Sequence, residues 1–470
     1  MEEHSSSSTS GAFERVVGGG YCIGCGACAL PSMGDVRIEL DGRGMFQAVA
    51  GAGHRVPEPF EAICPFSGAS ADEDEIGRTR FAAEGGAWRG EIGHFRTCYA
   101  GHVERSDFRD VGSSGGLVTW VLCALFENGM IDGALHVAPA GDRPLFGYRL
   151  STSLDEIRAG AKSRYYPVEM SAALAQVLDR PGRYAVVGTP CFIKAIELLA
   201  RSVPEIAERV AYRIAIVCGH LKSARFADYL ALRASVAPRD VGTIDFRHKV
   251  PERLASDYSA QITTRSGDEN IVRMSEVYGG NWGYGFFRYP ACDYCDDVVG
   301  ETADISIGDA WLPGYIRDWK GTNIIVVRTR EVEALIEAGI AAGELKMDAV
   351  SDADVVQSQL GGLRDRREGL AYRLALKDRQ GLWRPRKRVA PSMRLPAQRR
   401  RIYDLRLRIS QASHEFSAEP GAGFLALTGF EARLRPLTDA YDALYRPPAW
   451  RRAVNGVRRA LSVLKRRLFS

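Results

Sequence analysis

Cys22, Cys25 and Cys28 lie three residues apart in Tyr21-Cys-Ile-Gly-Cys-Gly-Ala-Cys28. This C-x2-C-x2-C spacing wraps a chain round one cubane cluster, and the small residues between the thiols let backbone N–H groups approach the sulfides. Zinc sites usually take thiols as CxxC pairs, so the third thiol favours an iron–sulfur centre, with zinc or free thiols as the alternatives. The fourth ligand expected is Cys64, because Ile63-Cys-Pro-Phe66 carries the Cys-Pro element that usually closes such runs. Its distance in sequence makes the motif a split one. Cys292 and Cys295 form a further pair in Tyr289-Pro-Ala-Cys-Asp-Tyr-Cys295. A lone CxxC fits half a zinc site, a redox dithiol or half an iron–sulfur site.

The elements around the remaining cysteines bear on that choice. Tyr184–Val187 and Ile214–Val217 read as buried strands, ending at Gly188-Thr189-Pro190-Cys191 and at Cys218-Gly219-His220. A helix follows each cysteine. Strand ends of this kind share one edge of an open α/β sheet, the edge where ligands bind. Cys191, Cys218, Cys292 and Cys295 then make a credible second set of four thiols. Cys123 sits inside the apolar run Leu117–Phe126 and reads as a core residue. That run follows Gly112-Ser-Ser-Gly-Gly116, a turn whose N–H groups could hold a phosphate or the polar edge of a flavin, or could simply cap and pack the helix. Ala161-Lys-Ser-Arg-Tyr-Tyr-Pro167 is a polar, aromatic loop suited to an anionic cofactor or to solvent.

The chain has 470 residues, with 62 basic and 58 acidic side chains. From Arg384 to Ser470 there are 20 basic and 6 acidic residues, leaving 42 and 52 before them. An acidic body thus carries a basic tail. No apolar run approaches the roughly 20 residues that span a bilayer, and the first ten residues lack signal-peptide character, so a cytoplasmic protein is expected. Ten cysteines in that compartment point to metal or redox chemistry rather than disulfides. Trp450–Phe469 has apolar residues at helical spacing opposite arginines. Such a helix suits the inner face of an anionic membrane, or docking on the body or a partner. Nucleic acid is not expected as a partner, since no recognition motif accompanies the charge.

The ordered set of motifs resembles the coenzyme F420 hydrogenase/dehydrogenase beta subunit family, from about Cys22 to Arg330. It comprises Cys-Ile-Gly-Cys-Gly-Ala-Cys, Ile-Cys-Pro-Phe, Ser-Ser-Gly-Gly-Leu-Val-Thr, Lys-Ser-Arg-Tyr, Val-Gly-Thr-Pro-Cys-Phe, Val-Cys-Gly-His, Phe-Arg-His-Lys, Cys-Asp-Tyr-Cys, Asp-Ile-Ser-Ile-Gly-Asp-Ala-Trp and Gly-Thr-Asn-Ile-Ile-Val-Val-Arg-Thr. The 7-hydroxymethyl chlorophyll a reductases share this framework, and members linked to surface-polysaccharide synthesis look nearest in layout. The resemblance implies two 4Fe-4S clusters and FAD. Cys22, Cys25, Cys28 and Cys64 would hold the first cluster, and Cys191, Cys218, Cys292 and Cys295 the second. The flavin would lie near Ser114, Gly115, Gly116 and Thr119, with Lys162, Ser163, Arg164, Tyr165 and Thr189 nearby. Arg164 stands where the family has Lys, and Cys218-Gly-His220 where it has Cys-His-Gly.

The implied fold class is α/β with α+β elements: an N-terminal ferredoxin-like iron–sulfur segment, central α/β flavin and cluster domains, and a helical basic C-terminal tail. The boundaries expected are a disordered 1–20, a cluster segment and linker at 21–93, a flavin-binding domain at 94–180, and a domain with the second cluster and a β-rich insert at 181–345. A helical extension at 346–383 and the basic tail at 384–470 complete them. The function expected is an oxidoreductase that couples ferredoxin, or reduced coenzyme F420, through the clusters and FAD to an organic substrate. His220, His248, Lys249 and Asp309 are candidate proton donors, each equally readable as a structural hydrogen-bonder. The rival readings are a non-catalytic electron-transfer subunit and a zinc-stapled, membrane-associated scaffold.

Overall fold

Four strands, Gly133–Pro139, Tyr184–Gly188, Val210–Ile216 and Ile305–Asp309, lie side by side and parallel. They are nearly continuous apolar runs because both faces of a parallel sheet are covered. The sequence alternation divides the two faces. Ala185 and Val187 pack with helix Leu117–Glu127, whereas Tyr184 and Val186 pack with helix Pro190–Ala200. Antiparallel strands extend both edges of this sheet, Phe146–Ser151 on one side and Asn323–Val327, Thr97–Val103 and Leu345–Ala349 on the other. The result is an eight-stranded mixed sheet in an α/β fold. The computed structural model describes residues 6–51, 56, 59–141, 143–416 and 423–446.

A second sheet of three antiparallel strands, Val241–His248, Ser259–Thr264 and Glu269–Arg273, sits beside the first. Helix Arg225–Arg233 and the helices Ala397–Ser413 and Gly423–Ala443 share its core, which is rich in aromatic rings: Phe226, Tyr229, Phe246, Phe286, Phe287 and Phe430. Aromatic clusters of this kind combine large buried area with edge-to-face contacts.

Two segments differ from what the sequence leads one to expect. Residues 6–18 form a helix rather than a disordered arm, with Ala12, Phe13 and Val16 buried. The Ser-rich composition hides this, because three apolar residues on one face are enough to dock a short helix. The Phe13 ring meets Phe60 edge-on at 5.2 Å. The basic run at 384–388 is not the start of a solvated tail. Arg388 pairs with both oxygens of Glu301 at 2.8 Å and with Asp74 at 2.7 Å, and its side chain is 5% exposed. Those partners lie 87 and 314 residues away in sequence, so no local pattern could announce them. The proposed membrane helix, 450–469, lies outside the described residues. Among the described residues no helix is long and apolar enough to cross a membrane.

Phe13→Ala is expected to destabilise the chain by about 3 kcal/mol, the usual cost of removing a buried ring. Denaturant unfolding checks it; an unchanged midpoint would mean the helix is not docked.

Candidate redox site

The N-terminal thiols converge because the loop that bears them is folded tightly. Gly24 has φ +64°, and a Cβ there would stand 2.3 Å from the Phe46 carbonyl oxygen. Gly26 has φ +87°, and its Cβ would meet the Ser171 nitrogen at 2.8 Å. Only glycine fits either place. The N–H groups of Gly24 and Ala48 both donate to Cys22 Sγ at 3.4 Å. Cys22, Cys25, Cys28 and Cys64 line one small cavity walled by Ile23, Phe60, Ile63 and Phe66. Burial pushes the Cys64 thiol up to about 12 and the other three upward as well. A thiol in that environment stays protonated unless a metal replaces its proton.

The second quartet stands at the carboxyl edge of the main sheet. Cys191 lies in the first turn of the helix that follows strand Tyr184–Gly188, and Cys218 follows strand Val210–Ile216. Cys292 lies in the short helical turn Pro290–Tyr294, and Cys295 closes it. Cys191 feels the charges of Cys218, Cys292 and Cys295 together, and burial pushes it well up. The Leu221 N–H donates to Cys292 Sγ at 3.3 Å. Among the described residues no group of three His, Cys, Asp or Glu side chains is placed to hold a single metal ion. A tetrahedral zinc site would bring its thiolates within about 3.8 Å of one another, given Zn–S bonds near 2.3 Å.

The two quartets are neighbours. Tyr289 interacts with Cys22 on one side and Cys292 on the other, and its hydroxyl accepts the Phe46 N–H at 2.9 Å. Tyr148 does the same between Cys25 and Cys191. Cys123 is a buried core residue of helix Leu117–Glu127, as its sequence context suggests.

Beside the second quartet opens a cavity of about 920 Å³, and Cys218 is part of its wall. That volume and an apolar lining are typical of a large organic ligand. Ser114, Gly116, Thr119, Lys162, Ser163, Arg164, Tyr165 and Thr189 all face it. Gly115 does not; its Cα packs so closely on Asn323 that a Cβ would sit 2.6 Å from the side-chain oxygen. The same oxygen accepts the Leu117 N–H at 3.2 Å and so anchors the start of the helix. The two loops are tied by the Ser163 N–H to Ser113 Oγ at 2.8 Å. Lys162 pairs with Asp245 at 2.8 Å. The Arg164 guanidinium lies 4.8 Å over Phe146, and burial lowers it to about 10; its buried Nε has no hydrogen-bond acceptor.

His220 and Asp309 also reach the cavity, whereas His248 and Lys249 stand outside its wall. Lys249 Nζ donates to the carbonyl oxygens of Ser114, at 2.9 Å, and Arg109, beneath the glycine turn. Asp309 accepts both arms of Arg247 at 3.0 and 3.1 Å. That guanidinium lies 4.3 Å from the Tyr258 ring centre and 5.4 Å from that of Trp311. His220 lies against Trp282, ring centres 4.6 Å apart and planes tilted by 55°, with its Nε2 buried and unpartnered. Burial, with Lys222, Arg288 and Arg366 close by, holds its ring neutral.

Arg366 is a site residue that the sequence does not advertise. It is 3% exposed and donates to the carbonyl oxygens of Cys292 at 3.1 Å and Gly219 at 2.6 Å. In Arg364-Asp-Arg-Arg-Glu368 it looks like one member of a solvated charge run. The π-helical turn Asp365–Gly369 is what rotates it inward.

Residues 98–175 match the coenzyme F420 hydrogenase/dehydrogenase beta subunit N-terminal domain, and residues 182–353 match the corresponding C-terminal domain. The chain belongs to this family. An uncharacterized protein of Methanocaldococcus jannaschii is 23% identical over 52% of this chain and 64% of its own length. One component of the F420H2 dehydrogenase of Methanosarcina mazei is 25% identical over 46% of this chain and 55% of its own length. The match thus spans less than two thirds of either relative. The coenzyme F420 hydrogenase subunit beta of Methanothermobacter thermautotrophicus is 20% identical over 54% of this chain and 84% of its own. A chain of the F420-reducing [NiFe] hydrogenase complex from Methanosarcina barkeri superposes with a TM-score of 0.47 at 16% identity, covering 60% of this chain and 94% of that one. The second quartet falls inside the matched segments; the first, and everything after residue 353, falls outside them.

Gly116 has φ +87°, and a Cβ there would stand 2.6 Å from the Phe108 carbonyl oxygen. Gly116→Ala is therefore expected to cost at least about 1 kcal/mol and to disturb the cavity's glycine turn. Thermal unfolding reads this; an unchanged Tm would show that the turn is not constrained.

Proposed function

We propose that the chain is an iron–sulfur flavoprotein oxidoreductase of the F420-linked kind. In this reading Cys22, Cys25, Cys28 and Cys64 hold one 4Fe-4S cluster, and Cys191, Cys218, Cys292 and Cys295 hold another. FAD would occupy the cavity beside Ser114, Gly116, Thr119, Thr189 and the Lys162–Tyr165 loop. The observation that carries the proposal is the position of Cys218, which belongs to the second quartet and to the cavity wall at once. Clusters exchange single electrons and a flavin exchanges one or two, so the pair converts one kind of carrier to the other.

The residues present fit these groups. Each quartet is all-thiol and buried or half-buried, a donor set that suits an iron–sulfur cluster. The buried cation Arg366 beside Cys218, Cys292 and Cys295 offsets thiolate charge. Lys162 and Arg164 give the cavity the cationic rim that a flavin's phosphates require. Lys249 holds the glycine turn in shape rather than meeting substrate. Asp309 is fixed by Arg247, so the pair orients what binds beside Trp311. Room for a large ligand beside a redox cysteine favours an enzyme over a purely electron-carrying subunit.

Reduced coenzyme F420 or ferredoxin is the proposed electron source, and an organic substrate, in surface-polysaccharide metabolism, the proposed acceptor. The names of the relatives support the F420 link. Anaerobic purification with counts of iron, sulfide and flavin tests the reading. About eight irons, eight sulfides and one FAD per chain are expected. A colourless, zinc-loaded protein would overturn it. Cys292→Ser is expected to remove about half the iron while the N-terminal cluster keeps its spectrum; undiminished iron would refute the second ligand set.

A further inference from the structure

The segment 384–388 has no counterpart within the matched family domains, which end at residue 353. It nonetheless runs between the two cysteine quartets. Lys387 Nζ lies 4.4 Å over the ring of Phe66, two residues after Cys64. The same nitrogen lies 3.3 Å from Asp296 Oδ1, on the residue after Cys295. Its side chain is 4% exposed. Arg388 keeps the segment there: its backbone N–H donates to Asp296 at 3.3 Å and its guanidinium is clamped by Glu301, Asp74, Glu73 and Asp296. Lys194, paired with Glu73 at 3.1 Å, completes the group.

We propose that Lys387 is a positioning residue whose fixed positive charge, set between the two cysteine quartets, raises the reduction potential of both proposed clusters together. A cluster gains a negative charge on reduction, and a buried cation nearby favours the reduced form; low dielectric makes that influence far larger than at a surface. Lys387 interacts with a thiol of each quartet, Cys64 of the first and Cys295 of the second. Asp296, 3.3 Å away, pairs with its ammonium in the buried space between the quartets. Arg388 is committed to four carboxylates, whereas Lys387, paired with Asp296, neighbours both quartets. One charge acting on both shifts the two potentials in the same direction and leaves the difference between them nearly unchanged.

The inference rests on the two-cluster reading above, and the test separates them. The full-length chain, purified anaerobically, is titrated electrochemically while each cluster is followed by electron paramagnetic resonance. Lys387→Gln is expected to lower the reduction equilibrium of both clusters about tenfold, equal to about 59 mV for a one-electron couple. Lys387→Arg should restore both midpoints. Asp296→Asn, which removes the opposing anion, should move both upward, and it carries the test alone if Lys387→Gln fails to retain iron. Midpoints that stay where the unsubstituted chain has them, or a shift confined to one cluster, would overturn the inference while leaving the cluster assignment intact. An unsubstituted chain with fewer than two clusters would instead sink the assignment itself.

Discussion

Eight thiols set in two neighbouring, buried or half-buried groups impose an electrostatic constraint on everything around them. As ligands of the proposed clusters they would lose their protons, and the interior would then hold thiolate and cluster charge without water to spread it. Buried cations from near and far along the chain gather beside the quartets. Arg366 spans Cys292 and Gly219. Arg288 pairs with Asp293 at 2.8 Å and Asp365 at 3.2 Å, and Arg373 ties Asp365 to the carbonyl oxygen of Asp293. Lys387 and Arg388 close the other side. Each cation in turn needs an acid, and the chain provides Asp293, Asp296, Glu301 and Asp365 within or near the cysteine-bearing loops. The charges therefore form an interlocked lattice rather than isolated pairs.

The gathering of the thiols was legible because their spacing follows the short-range patterns that metal-binding loops use. The C-x2-C-x2-C run, the Cys-Pro element and the CxxC pair are short-range patterns. Cys191 and Cys218 were legible through a longer argument: a buried apolar strand followed by a helix puts the intervening residue at the sheet's functional edge. The parallel pairing of Tyr184–Gly188 with Val210–Ile216 delivers both there. Lys249 shows where residue type misleads. A lysine after a strand beside a glycine turn looks like a proton donor, yet its ammonium is taken by backbone carbonyls.

What the sequence concealed depends on distant partners. Charge runs such as Arg364–Glu368 and Arg384–Arg388 are statistically surface features, and only tertiary placement turns them inward. Helix Ala397–Ser413 carries enough arginine to read as part of a free basic tail, and helix Gly423–Ala443 lies within the same stretch. Their apolar stripes nonetheless complete the core over the three-stranded sheet. Tyr284 hydroxyl donates to Asp442 at 2.8 Å, and Arg406 joins Asp365 at 3.1 Å, so these helices brace the loop that carries Trp282 at the cavity. Ion pairs of this depth specify one arrangement, because removing either partner strands a buried charge.

The wall around the N-terminal thiols has one more implication. Tyr21 lies against Tyr294 and Trp383, and its hydroxyl donates to the Trp383 carbonyl oxygen at 2.9 Å. Cys22, Cys25 and Cys28 leave the ribosome early, and their enclosure is complete only after more than three hundred and fifty further residues have been made. Closure of the wall around these thiols is consequently a late event in the folding of the chain. It awaits a chain grown past Trp383, and until then these thiols remain open to whatever oxidants and scavenging metals the cell presents.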